Sequence, residues 1–319
     1  MKNNNQTSSS ITYNYQGIEK RSRNSALRYI FGLLGIQFLK SIFRFLPGID
    51  NSVYAKGQSK DLYVEIVPSF LGMFSKHWML NDFVVKRFVE MGLSVRSMHA
   101  PYIDDGKVFQ TARKSYLENV LDITEYSSTT LLCLYSHLHL FEAIAPQEQD
   151  KVLIAHPLPS DPNKSEKEII KSITKVAKKL LPLLREQNVR LVIENMPWLK
   201  RRHERYSPFL GDAQFFERLM NELDDPYYGV LFDWGHANSY ARFMYTHGIK
   251  HTEHQFTPES LQHFKYQDYF IRRLKNKLYY AHLNFNEAHL LDAKPIFYAK
   301  NFDSHSDLTH MTEEEYVDY

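Results

Sequence analysis

From residue 61 onward two hydrophobic periodicities take turns along the chain. Nearly continuous apolar runs occupy 62–70 (LYVEIVPSF), 93–102 (LSVRSMHAPY), 151–159 (KVLIAHPLP), 189–198 (VRLVIENMPW), 228–237 (YGVLFDWGHA) and 277–286 (KLYYAHLNFN). Their length and their β-branched and aromatic content predict buried strands. Between them, 79–91, 165–187, 212–223 and 258–276 have the spacing of amphipathic helices. A longer helical and irregular region fills 110–149. Strands alternating with helices predict parallel pairing through right-handed crossovers.

The first part of the chain follows another pattern. Residues 1–26 are polar, rich in Asn and Ser, and carry KRSR at 20–23, which predicts a disordered tail. In 27–48, Leu27, Ile30, Phe31, Leu34, Phe38, Ile42 and Phe45 keep helical spacing, while Arg28, Lys40 and Arg44 line another side. Pro47-Gly48 ends the run. It is too short to span a bilayer, and it starts late for a signal peptide and lacks a small-residue cleavage site. Two readings of 27–46 remain: a helix packed on the main domain, or a peripheral membrane contact.

Composition narrows the class. The chain has 319 residues, 43% hydrophobic and 24% charged, with a formal net charge of +2. That suits one large globular core and offers no overall field for nucleic acid or membrane. The one cysteine, Cys133, excludes an internal disulfide and fits a reducing, cytoplasmic location. Glycine is scarce at 12 residues, and no glycine-rich phosphate loop appears. A dinucleotide fold is therefore disfavoured.

The strand ends carry the chemistry. Successive apolar runs stop at His99, at His156, at Glu194-Asn195, at Asp233 with His236, and at His282; Asp303 and His305 follow. In a parallel barrel those ends meet on one face, where the active site sits. Imidazole and carboxylate together form the donor set of Zn²⁺, Mn²⁺ or Fe²⁺. One histidine at a strand end is usually a hydrogen-bonded polar residue, and Asp233 to His236 could be an Asx turn alone. The recurrence from strand to strand argues for a shared site. His137 and His139 lack that placement. His247, His251, His254 and His263 read as solvated, with His251 and His254 able to catch stray metal. The basic run 199–206 (LKRRHERY) reads as a solvated loop or a phosphate grip.

HAPY at 99–102, AHP at 155–157, IENMP at 193–197, DWGHA at 233–237, HLN at 282–284 and DSH at 303–305 resemble the xylose isomerase-like TIM barrels. That superfamily includes sugar isomerases and epimerases and the endonuclease IV enzymes. In the epimerase branch the resemblance implies one metal on Glu194, Asp233 and His282, with a further Glu from strand eight. In the endonuclease branch it implies three zinc ions on His99, His156, Glu194, Asp233, His236, His282, Asp303 and His305. The first-strand glycine signature of endonuclease IV is absent, Asp-Trp-Gly-His stands for its Asp-Thr-Cys-His, and HLNF for its His-Leu-Asn-Asp.

The expected fold is a TIM-type (β/α) barrel over 61–319, lacking the eighth strand, with an N-terminal helical extension. Thr312 and Glu315 read as the capping box of a helix start, and the chain ends at Tyr319. The expected function is a divalent-metal-dependent enzyme resembling sugar or sugar phosphate isomerases and epimerases, using Zn, Mn or Mg on a small sugar-like substrate. Glu194 and His236 are the expected catalytic residues. His99, Asn195 and Asn284 are expected at the substrate. Glu194, Asp233, His282, His156, His236, Asp303 and His305 are expected at metal. The alternatives are an endonuclease IV-like phosphodiesterase acting on DNA, and an inactive metal-binding or membrane-docked relic.

Overall fold

The computed structural model describes residues 11–14, 62–68, 73–74, 78–90, 92–101, 121–145, 150–157, 163–197 and 208–283. The expected helix at 27–48, the basic loop 199–206 and the stretch from 284 onward, with Asn284, Asp303, His305 and the capping box, lie outside them.

Among the described residues seven strands form one sheet in chain order: β1 (Ile11–Asn14), β2 (Leu62–Ile66), β3 (Val95–His99), β4 (Lys151–Ala155), β5 (Val189–Glu194), β6 (Tyr228–Asp233) and β7 (Leu278–His282). Every neighbouring pair is parallel. Ile11–Asn14 fall in the stretch expected to be a disordered tail; here they run beside β2 in the register Ile11↔Leu62 to Asn14↔Glu65. That pairing satisfies backbone groups that an open strand edge would expose.

The sheet curls. Five strand spacings of about 4.8 Å separate β2 from β7, which is roughly 24 Å on a flat sheet. Yet His282 at the end of β7 lies 3.0 Å from Glu65 on β2. Ser97 of β3 likewise meets Tyr280 of β7 at 3.0 Å. Only a barrel-like curve brings those strands face to face.

Seven helices cover the outside among the described residues: α1 (Asp82–Val89), α2 (Ser128–Ile144), α3 (Glu166–Gln187), α4 (Ala213–Leu223), α5 (Trp234–Thr246), α6 (Pro258–Gln262) and α7 (Lys265–Leu274). A short 3₁₀ turn, Pro208–Gly211, precedes α4. Helix α3 shows how the pattern becomes structure. Ser165 caps it and Glu168 closes the capping box, so two orphan N–H groups are satisfied. Ile169, Ile173, Val176, Ala177, Leu180 and Leu184 form its buried stripe, and each large side chain contributes about 1.5–3 kcal/mol. Asn188 stops it in the left-handed region at φ 51°. None of the described helices is long and apolar enough to cross a membrane.

Alternation along the strands separates two cores. Leu153, Ala155, Leu191, Ile193, Val230 and Phe232 face the helices and join the main core. Val152, Ile154, Val192 and Leu231 fill a smaller inner cluster with Tyr279 and Tyr280 against it. Two residues beyond Ile154, Val192 and Leu231 on the same face come His156, Glu194 and Asp233.

Three expected boundaries change. The strand read as 228–237 ends at Asp233, and Trp234 begins α5, because Asp233 caps a helix there. The helix read as 258–276 is two helices, since Phe264 sits in the left-handed region at φ 47°. The region read as irregular around His137 and His139 is the regular helix α2.

Candidate metal centre

Glu194 ends β5 and is the hub. Its Oε2 accepts from His99 Nε2 at 3.1 Å and from His156 Nε2 at 2.7 Å. Its Oε1 lies 3.3 Å from His236 Nδ1 and 3.4 Å from His282 Nδ1. Burial alone would raise the Glu194 carboxyl, but the charges and hydrogen bonds of His156 and His282 hold it well below the usual carboxylate range. Five strands therefore deliver side chains to one point. The six residues expected to converge, His99, His156, Glu194, Asp233, His236 and His282, do converge, and all are 0–8% exposed.

Asp233 has two jobs, one per oxygen. Oδ1 accepts from His236 N at 2.8 Å and so caps α5. Oδ2 faces His282 Nδ1 at 3.5 Å. The cap also explains where His236 lies: in the first turn of α5 rather than at a strand end. Its Nδ1–H donates to Asn195 O at 2.8 Å.

Asn195 was expected at the substrate. In the structure its amide ties β5 to β6. Oδ1 accepts from Asp233 N at 2.6 Å and Nδ2 donates to Asp233 O at 3.0 Å. The amide is buried and pinned there, where it sets the position of Asp233.

The remaining histidines differ in charge. Burial lowers His99, but its hydrogen bond to Glu194 and the charges of Glu194 and Glu65 leave it raised. Its other nitrogen donates to Ala100 O at 3.2 Å. Burial pushes His156 down to about 4 despite Glu194. His282 is lowered by burial but raised well above the ordinary histidine range by Glu65, Glu194 and Asp233.

Glu65 is the residue that sequence reasoning missed. It sits on β2 in register with Ser97. Its Oε2 accepts from Ser97 Oγ at 3.0 Å and from His282 Nε2 at 3.0 Å. The signal was a lone charge in an apolar strand, which a buried position tolerates only with partners.

Two overlapping donor groups could hold an ion: His99, His156 and Glu194, and Glu194, Asp233 and His282, with ligand atoms inside 4.8 Å of one another. Two carboxylates and three imidazoles suit a borderline divalent ion. Glu65 Oε1 is buried without a hydrogen-bond partner among the described residues, which also fits a site built for a cation. His236 belongs to neither group.

A family model described as the xylose isomerase-like TIM barrel matches residues 73–302. The chain belongs to that family. Among solved structures this xylose isomerase-like barrel is similar to a D-tagatose 3-epimerase-like protein, at 14% identity and TM-score 0.45, over 71% of this chain and 68% of that one. It is also similar to an E. coli 3-keto-D-glucoside 4-epimerase (12%, TM-score 0.39, 64% and 65%) and to a xylose isomerase domain protein from Planctomyces limnophilus (10%, TM-score 0.42, 80% and 74%). No curated protein matches it in sequence.

Outside the centre, two expectations change. His251 and His254 were read as solvated. His251 instead has a nearly buried side chain bonded to Asp212 Oδ1 at 3.1 Å. His254 packs edge-on against Phe256, bonds Ser260 Oγ at 2.9 Å, and is pushed by burial down to about 4. His137 is buried against Phe74 and Trp78, while His139 is exposed.

Proposed function

We propose that this barrel is a divalent-metal-dependent enzyme of the sugar isomerase or epimerase type. The observation that carries the proposal is the Glu194–Asp233–His282 group: three buried donors from β5, β6 and β7, within 4.8 Å of one another at the carboxyl ends of parallel strands. Those three residues would hold the metal, which would supply electrophilic pull on a carbonyl and its neighbouring hydroxyl.

The chain's own residues divide the remaining work. Glu194, held far below the ordinary range, has little proton affinity at neutral pH and suits a ligand better than a base. His99 uses both nitrogens as donors, to Glu194 and to Ala100 O, so it orients Glu194 instead of taking a proton. His236 is the proton carrier in this reading. With Nδ1–H tied to Asn195 O, the lone pair of the neutral ring is on Nε2. That atom can take a proton from the carbon beside a carbonyl and return it. The substrate class is a small sugar-like molecule with adjacent carbonyl and hydroxyl groups.

The test uses the full chain, stripped of metal and reloaded with Zn²⁺, Mn²⁺ or Mg²⁺. Metal content per chain is measured, and ketoses and their phosphates are incubated with the loaded protein in D₂O. One bound ion and deuterium entry beside the carbonyl, lost in His236→Asn, are expected. No metal uptake, or three ions with phosphodiester hydrolysis and no exchange, would overturn the reading.

A further inference from the structure

Glu65 has no role in the scheme above, yet it is 2% exposed and lies against the centre. We propose that Glu65 is the positioning residue for His282, holding the imidazole so that its Nδ1 faces Glu194 and Asp233; this rests on the metal reading above.

The argument starts from what each atom can do. A carboxylate only accepts hydrogen bonds. The 3.0 Å contact between His282 Nε2 and Glu65 Oε2 therefore places a hydrogen on Nε2. In the neutral ring the lone pair is then on Nδ1, which lies 3.4 Å from Glu194 Oε1 and 3.5 Å from Asp233 Oδ2. A metal ion would displace the second proton of the ring, and the bared nitrogen and two carboxylate oxygens would then hold the cation in common. Without Glu65 the ring could carry its hydrogen on Nδ1, bond it to Asp233 or Glu194, and remove itself as a donor. A carboxylate behind a ligand histidine, fixing tautomer and ring angle, typically accounts for 10–100-fold in metal affinity.

Glu65 is itself held. Ser97 Oγ donates to the same Oε2 at 3.0 Å, and Tyr280 OH lies 3.0 Å from Ser97 Oγ. Tyr280 is two residues before His282 on β7, so β2, β3 and β7 are linked through side chains at the level where the ring is set.

The test compares full-length wild type, Glu65→Ala and Glu65→Gln. Co²⁺ titrations, followed by visible absorption, report affinity and ligand geometry. Nitrogen-15 NMR of the Zn²⁺-loaded wild type, with the His282 signal assigned by its loss in His282→Asn, reports the tautomer directly. Glu65→Ala should weaken Co²⁺ by about 10–100-fold and alter its spectrum. Glu65→Gln keeps an acceptor oxygen and should recover most of the affinity. Unchanged Co²⁺ affinity in Glu65→Ala, or hydrogen on Nδ1 of His282 in the loaded wild type, would overturn the role of Glu65 alone. Should Glu65→Ala fail to fold, the wild-type tautomer decides. A wild type that takes up no metal would overturn the metal reading itself, and this inference with it.

Discussion

Replacing Asp233 by Ala and by Asn separates its two oxygens. Oδ1 caps α5 through His236 N at 2.8 Å, and Oδ2 faces His282 Nδ1 at 3.5 Å. Both substitutions remove the same buried charge, so charge effects on the metal-free fold largely cancel between them. Asn still offers an oxygen to the cap and Ala does not. Urea unfolding in chelator should therefore find Asp233→Ala less stable than Asp233→Asn by about 0.5–2 kcal/mol, the usual worth of an N-cap. Metal affinity should behave differently. Both variants lose the anionic ligand, so both should lose more than the roughly 10–100-fold typical of an outer partner. Equal stabilities for the two variants would refute the cap, and wild-type affinity in Asp233→Asn would refute the ligand assignment.

Three further outcomes can be measured, with stability read on the metal-free chain. His137 is fully buried, donates to Cys133 O at 2.8 Å, and is pushed by burial down to about 4. The unfolded chain takes up a proton near pH 6.5 that the folded chain refuses, so this contribution is complete above pH 6.5 and is lost as pH falls toward 4. That amounts to about 3 kcal/mol at 1.36 kcal/mol per pH unit, and His137→Phe should flatten the pH dependence of urea stability by that much; an unchanged slope would refute it. Gly211→Ala should destabilise by about 1–3 kcal/mol in the same assay, because a Cβ there would overlap the Tyr240 ring (Cγ at 2.7 Å) and lie 2.9 Å from Met196 O. Ser165→Ala removes half of the α3 capping box and should lower stability by about 1 kcal/mol, with no change in metal affinity.

The sequence by itself determined the order of elements and the rule behind the centre. Apolar runs of strand length and helices with 3.6-residue spacing are local patterns, imposed by which face each segment must bury. The same local logic placed His99, His156, Glu194, Asp233 and His282 at or just past strand ends. What only the tertiary structure decided depends on curvature and on competition for hydrogen bonds. Glu65 lies 217 residues from His282 along the chain, and only the curl of the sheet brings them to 3.0 Å. Asn195 reads as a polar residue free for substrate until Asp233 is placed beside it and takes both ends of its amide. Asp233 reads as a strand-end carboxylate, yet its cap of α5 also carries His236 into a helical first turn. Phe264 breaks a continuous helical pattern by adopting a left-handed backbone that no local propensity signals. Each difference arises because a buried polar group or a sharp turn is settled by partners distant in sequence, and residue spacing records only the near ones.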